Sequence, residues 1–294
     1  MSDRPLLLSV PNVSEGSDAG TIDAIGRAFA PARLLDLHTD PDHGRSVYSL
    51  AAPQGELAEA LLNGARTAIA RIDVRRHRGL HPHVGAIDVA PVVYVDESDR
   101  GAACAEALTA AALIGDELEL PVFLYGDLAT TEHNRERANI RRGGPAGLAE
   151  RMATGELTPD YGPPRPHETA GALLVTARPP LIAFNVDLTT DDVELAKRIA
   201  ARLRESGGGP LGVRAIGLYL PARGRAQVSF NVHDHAQAPL KEIVEEVAKE
   251  APIAEAELVG LAPAAAFADF PPDIPIRDFD PEQKLIENAL RSSD

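Results

Sequence analysis

Apolar and polar positions along the chain follow two alternating periods. A β-prone run over 6–13 is followed by helix-spaced apolar residues over 22–29. Two extended runs, 33–37 and 46–51, flank the turn-rich Asp40-Pro-Asp-His-Gly44. Leu57, Leu61, Ala65, Ile69 and Ile72 then recur at helical spacing. The next segments read as a strand over 84–95, a helix over 101–118 and a short buried strand over 121–125. Reduced to essentials this is β-α-β-β-α-β with additions, the split βαβ order of ferredoxin-like domains.

The stretch 154–169 is polar and rich in Pro and Gly, and reads as a long loop of the kind that carries function or links units. After it the same order recurs. Segments 172–175 and 181–188 are extended, and Val193, Ala196, Ala200 and Leu203 make one helical face. Strands over 214–220 and 227–232 enclose Pro221-Ala-Arg-Gly224. Leu240, Ile243, Val244 and Val247 form another helix face with Pro239 suited to its first turn, and 254–259 closes the second unit. Residues 267–280 show no periodicity, and 281–291 predict one terminal helix. The pattern predicts an α+β protein of two ferredoxin-like subdomains, 1–178 and 179–294, with a ligand cleft between them. Asn12, Asn185 and Asn231 each fall at the end of an expected strand. They project toward one cleft, or they reflect only the preference of Asn for turns after strands.

Composition narrows the function. The net charge of −15 argues against nucleic acid as a partner, because phosphate binding needs a basic surface. An anionic small molecule needs only a local cluster of donors. No apolar run reaches the roughly 18 residues of a membrane span. Met1-Ser-Asp-Arg-Pro5 lacks the charged and apolar regions of a secretory leader, so the cytoplasm is the expected location. The single Cys104 lies on an expected helix and reads as a small core residue.

No phosphate-cradling Gly-rich loop and no Gly-x-Ser-x-Gly elbow is present; Gly207-Gly-Gly209 reads as a helix stop. Histidine stands out instead. In Arg78-Gly-Leu-His-Pro-His-Val-Gly-Ala-Ile-Asp88, His81 sits on a stiff, glycine-flanked turn, well placed for proton transfer near neutral pH. The plain alternative is a surface turn built by Pro and Gly. A third reading makes His81, His83 and Asp88 metal ligands, which Pro82 between the two histidines disfavours. His77, in Arg75-Arg-His-Arg78, belongs to a solvated basic segment or to a positive patch for an anionic substrate.

A series of motifs then appears in order: Val10-Pro-Asn-Val-Ser-Glu-Gly16, Leu34-Leu-Asp36, Arg45-Ser-Val-Tyr48, Gly79-Leu-His-Pro82 with Gly85-Ala-Ile-Asp88, Pro121-Val-Phe-Leu-Tyr-Gly126, Pro159-Asp-Tyr-Gly-Pro163, Ala183-Phe-Asn-Val-Asp-Leu188 and Ala226-Gln-Val-Ser229. Together they resemble the formiminotransferase domain family from about residue 5 to about residue 263. The resemblance implies two ferredoxin-like subdomains, a homodimer, and transfer of a formimidoyl group from N-formimidoyl-L-glutamate to N5 of tetrahydrofolate as cosubstrate, without a metal. It places the family's catalytic histidine at His81. Asn12, His38, Arg45, His83, Asn185, Gln227 and Asn231 are the expected substrate-binding residues.

Four positions depart from the family pattern. His83 stands where an Arg is usual and His38 where an acid is usual; Ala170 and Leu218 replace Trp, and the chain has no Trp. An Arg fork suits a carboxylate better than an imidazole does. Two other functions therefore stay open: a relative with a remodelled pocket that binds or hydrolyses another amidine or pterin-like compound, and a non-catalytic ligand-binding protein.

Overall fold

Pro11 breaks the first extended run. Proline has no N–H to give to a ladder, so the run becomes two strands, β1 (Leu6–Ser9) and β2 (Asn12–Val13). The computed structural model describes residues 4–291, so the outer limits 1 and 294 of the expected subdomains, and the start of the segment read for a leader, lie outside the described residues. Helix α1 (Ala19–Ala28) begins ahead of its apolar pattern because the Asp18 carboxylate accepts from the Gly20 amide at 3.0 Å. β3 (Arg33–Asp40) and β4 (Arg45–Pro53) pair antiparallel. α2 (Leu57–Arg71) has no cap of its own; the buried Glu106 of α3 (Arg100–Leu118) accepts from the Gly55 and Ala58 amides at 2.9 and 2.8 Å. That anion at a helix N-terminus satisfies donors the helix itself cannot.

β5 (Ile87–Val93) starts three residues later than the expected 84, because Val84 donates its amide to the Asp88 side chain and not to a neighbouring strand. β6 (Val122–Leu124) follows, then α4 (Arg137–Arg141), α5 (Gly144–Ala153) and β7 (Leu173–Arg178). β1 and β2 both lie between β4 and β5, and the sheet runs β3, β4, β1/β2, β5, β7, β6. Helices α1 to α3 bury one face around Ile25, Phe29, Tyr48, Leu61 and Ile114. Helices α4 and α5 cover part of the other through Ile140 and Leu148 against Phe123 and Leu174.

A second compact unit begins at Pro180. β8 (Ile182–Leu188), α6 (Val193–Leu203), β9 (Val213–Leu220), β10 (Arg225–Val232), α7 (Leu240–Ala248) and β11 (Ile253–Val259) repeat the β-α-β-β-α-β order. The sheet order is β12, β11, β8, β10, β9, where β12 (Ile276–Arg277) is a two-residue strand inside the stretch read as aperiodic. Phe184, Ile199, Val228, Phe230 and Val244 fill the core. The single terminal helix expected over 281–291 is two, α8 (Pro281–Lys284) and α9 (Ile286–Arg291). Leu285 leaves helical geometry between them, where Ala262 and Leu285 form a bridge. The protein is α+β. Among the described residues no helix is long and apolar enough to cross a membrane.

Gly85 approaches a neighbour that no side chain could meet. A Cβ there would lie 1.9 Å from the Ala172 carbonyl oxygen. Gly85→Ala is expected to destabilise by about 1–3 kcal/mol, the usual cost of overpacking. Urea unfolding measures it; an unchanged midpoint would show that this backbone contact yields without cost.

Candidate active site

Asp88 is the extra residue of a β-bulge. Asn12 pairs with Val89 and Val13 with Ile87, which leaves Asp88 unpaired in the ladder and re-aims its side chain. The carboxylate is fully buried. Its Oδ1 accepts from the Val84 amide at 2.8 Å. Its Oδ2 accepts from Arg45 Nη1 at 3.0 Å and from Arg141 Nη2 of α4. Burial alone would raise the Asp88 carboxyl, but Arg141, Arg45 and the Val84 amide together hold it below its ordinary value.

Arg45 heads β4 and links that acid to the histidine. Its Nε donates to Asn12 Oδ1 at 2.9 Å, while Asn12 Nδ2 donates to the Val10 carbonyl. Arg45 Nη1 also lies 3.1 Å from His81 Nδ1. Burial, opposed by Asp88, pushes the Arg45 guanidinium down to about 10. The His81 loop lies against the 41–44 turn, with the Leu80 amide donating to the Asp42 carbonyl at 3.0 Å. Glycine is required on both sides, since a Cβ on Gly79 would meet the His43 carbonyl at 2.2 Å and Gly44 has φ of +62°.

His81 Nδ1 has two neighbours that make opposite demands. The Pro82 carbonyl, at 2.8 Å, only accepts, and Arg45 only donates. The tautomer with Nδ1–H on Pro82 leaves Nε2 with its lone pair, and among the described residues Nε2 has no hydrogen-bond partner. Burial, reinforced by Arg45, Arg141 and His43, holds His81 well below the ordinary histidine range. The ring is therefore neutral at pH 7.

The structure gathers Asn12, Arg45 and His81 into one contact set. His38 shares their sheet face: it pairs with Val47, which pairs in turn with Asn12. His83 turns to a different partner. Its ring meets His77 edge-on at 4.0 Å between centroids, and its Nδ1 lies 3.3 Å from the His81 carbonyl. His77 is accordingly half-buried and not the solvated residue its arginine-rich surroundings suggest. His81 and His83 thus diverge, and among the described residues no group of three His, Cys, Asp or Glu side chains could hold a metal.

Asn185, Gln227 and Asn231 lie in the second unit. The register sets Gln227 beside Asp187 and Ser229 beside Asn185 on one sheet face. Gln227 Nε2 donates to Asp187 Oδ1 at 2.7 Å, and Asn185 Nδ2 to Glu257 Oε2 at 3.0 Å. Neither Asn185 nor Asn231 ends its strand as the pattern led one to expect. β8 runs three residues past Asn185 because Val186 and Asp187 pair on both sides and Leu188 pairs with Ile253, and Asn231 is the penultimate residue of β10. The sequence reading missed Arg141 entirely. A five-residue helix leaves no periodicity to detect, and an arginine buried by one distant carboxylate looks like any surface arginine.

An α+β protein with a neutral imidazole at the end of a buried arginine–carboxylate set is suited to proton transfer on a small anionic molecule. Residues 6–178 match the family described as "Formiminotransferase domain, N-terminal subdomain", and residues 183–271 match the "Formiminotransferase domain". A glutamate formimidoyltransferase of Streptococcus pyogenes serotype M1 is 36% identical over 96% of this chain and 97% of its own length. One from Thermoplasma acidophilum is 33% identical over 90% of each. The formimidoyltransferase-cyclodeaminase of Sus scrofa is 38% identical over 90% of this chain, which spans only 51% of that longer protein. The chain belongs to the formiminotransferase domain family, a family of transferases.

Two outcomes follow from the buried charges. Asp88→Ala strands Arg45 and Arg141 without their shared anion and should destabilise by about 3–5 kcal/mol; a loss below about 1 kcal/mol, the level of an exposed pair, would refute the set's importance. His77, His81 and His83 all have pKa values lowered, first by burial. The unfolded chain then binds protons that the folded one refuses. Stability should be full above the ordinary histidine pKa, about 6.5, and decline as pH falls below it. Thermal melts at about pH 7.5 and about pH 5.5 test the sign.

Proposed function

We propose that this chain transfers a formimidoyl group from N-formimidoyl-L-glutamate to N5 of tetrahydrofolate, with His81 as the proton carrier. The observation that carries the reading is the setting of His81: a neutral ring with Nδ1 between the Pro82 carbonyl and Arg45, and with no hydrogen bond at Nε2 among the described residues. Similarity to glutamate formimidoyltransferase over 96% of the chain supplies the substrate class.

In the reaction, N5 of the folate attacks the formimidoyl carbon and a new C–N bond forms. His81 Nε2 takes the N5 proton as the tetrahedral intermediate appears. The C–N bond to glutamate then breaks, and the imidazolium returns the proton to the departing nitrogen. One group serves as base and then acid, so no proton is gained or lost. Nδ1–H on the Pro82 carbonyl holds the base tautomer through the first half. Arg45 beside Nδ1 makes the imidazolium acidic and favours the second half. Alignment of the two substrates supplies much of the remaining acceleration. Asn12 keeps Arg45 in place, and His38 borders the same face. Asn185, Gln227 and Asn231 belong to this reading as substrate-side residues of the second unit, and His83 acts through the His81 backbone. Small-molecule substrates, a homodimer with neither nucleic acid nor membrane as partner, a cytoplasmic location and transfer without a metal complete it.

His81→Ala should lower turnover by about 10²–10⁴-fold with the fold intact by circular dichroism. Near-normal turnover would remove His81 from the mechanism. A wild-type protein that consumes formimidoyl-glutamate only by hydrolysis, with no folate product, would favour the remodelled relative.

A further inference from the structure

Beyond the Asp88 set, positive charge continues along the first unit's sheet. Arg137 lies one turn before Arg141 on α4, so the two share a helix face. The Arg137 guanidinium sits over the Tyr125 ring, 5.5 Å from its centroid. Arg178 ends β7, and its guanidinium lies beside the Tyr125 hydroxyl. In the parallel register Leu174 is level with Val89 and Arg178 with Val93, so Arg178 lies about 13 Å of strand beyond the level of Val89.

Arg137 and Arg178 lack an acidic partner. Among the described residues no carboxylate pairs with Arg137 or Arg178; Arg178 Nη1 donates to the Pro179 carbonyl, at 2.9 Å. The Tyr125 hydroxyl, in a residue only 6% exposed, meets no group but the adjoining Arg178 guanidinium, so its own proton has no acceptor. Arg141 Nε is likewise buried and unpartnered. Unmet buried donors are costly and rare, and here they cluster with unpaired guanidiniums in a chain of net charge −15. The missing element is an anion with several acceptor oxygens.

We propose that Arg137 and Arg178, on either side of Tyr125, form a carboxylate-binding subsite that holds the glutamyl carboxylates of a substrate whose reacting nitrogen lies at His81. This rests on the function proposed above, in which both the formimidoyl donor and the folate carry a glutamyl group. Arginine forks suit carboxylates, and the tyrosine hydroxyl can donate to the same oxygens. These residues act in binding and position; the proton still moves through His81.

The test uses the full chain and the variants Arg137→Gln and Arg178→Gln. Glutarate, a bare dicarboxylate, is titrated into each by calorimetry, and KM and kcat are measured for both cosubstrates. The expected result is glutarate binding at least about tenfold weaker in either variant, matching the loss of one charged hydrogen bond. KM should rise about tenfold for one cosubstrate while kcat at saturation changes less than about threefold. A rise confined to formimidoyl-glutamate assigns the donor, and one confined to tetrahydrofolate assigns the folate. Equal glutarate binding in all three proteins, or none by the wild type, overturns the subsite. A fall in kcat accompanied by a lower urea midpoint also overturns it, since that is the mark of a structural role. If the wild type shows no transfer, the proposed function fails, and the glutarate titration still decides the subsite.

Discussion

Everything at the candidate site hangs on one buried carboxylate. Asp88 has no exposed surface and three donors from three separate segments: the Val84 amide, Arg45 of β4 and Arg141 of α4. Removing a carboxylate from water is costly unless hydrogen bonds replace the hydration. Here two guanidiniums and an amide do so. The guanidiniums are fixed in return, and the same Arg45 Nη1 that meets Asp88 also lies against His81. The position of the imidazole therefore depends on an acid that it does not touch.

The second unit handles buried charge with a different layout. Asp187 and Glu257 lie on adjacent strands of one sheet face, and Arg223 and Arg277 each reach both acids, at 3.2 and 3.6 Å and at 3.8 and 2.7 Å respectively. Arg277 comes from β12, the two-residue strand that no apolar pattern announces. An ion-pair network formed across strands, with Asn185 and Gln227 completing the acids' hydrogen bonds, fixes side-chain positions more than it stabilises the fold. Each arginine reaches both acids, and Arg277 also reaches Glu255, so neither acid is left uncompensated.

Much of this was legible in the sequence because the two periods were clean. Both helix faces of the second unit, the β3–β4 hairpin and the long 154–169 loop followed from spacing, whereas the grouping of Asn12, Arg45 and His81 in one site was only implied by the family resemblance. What stayed hidden shares a physical cause: it was set by contacts between distant segments. Glu106 capping a helix it does not belong to, the bulge at Asp88, the short α4 with its two arginines, and Leu285 leaving the terminal helix for Ala262 all depend on partners that local periodicity cannot name. The histidines illustrate both sides. His81 was legible because Pro and Gly constrain its loop locally, whereas the pairing of His77 with His83 depends on how two turns pack.

The strand order also bears on synthesis of the chain. β7 is the inner neighbour of both β5 and β6, joining each in parallel, yet it is the last strand of its unit to leave the ribosome. Asp88 and Arg45 emerge early, while Arg141 follows 53 residues after Asp88. A nascent chain that ends before residue 173 has the acid and both arginines but leaves the flank of β5 without its partner. The histidine loop would then gain its rigid setting only near the end of that unit's translation, and an early-stopped chain would carry the motif without the frame that gives it chemistry.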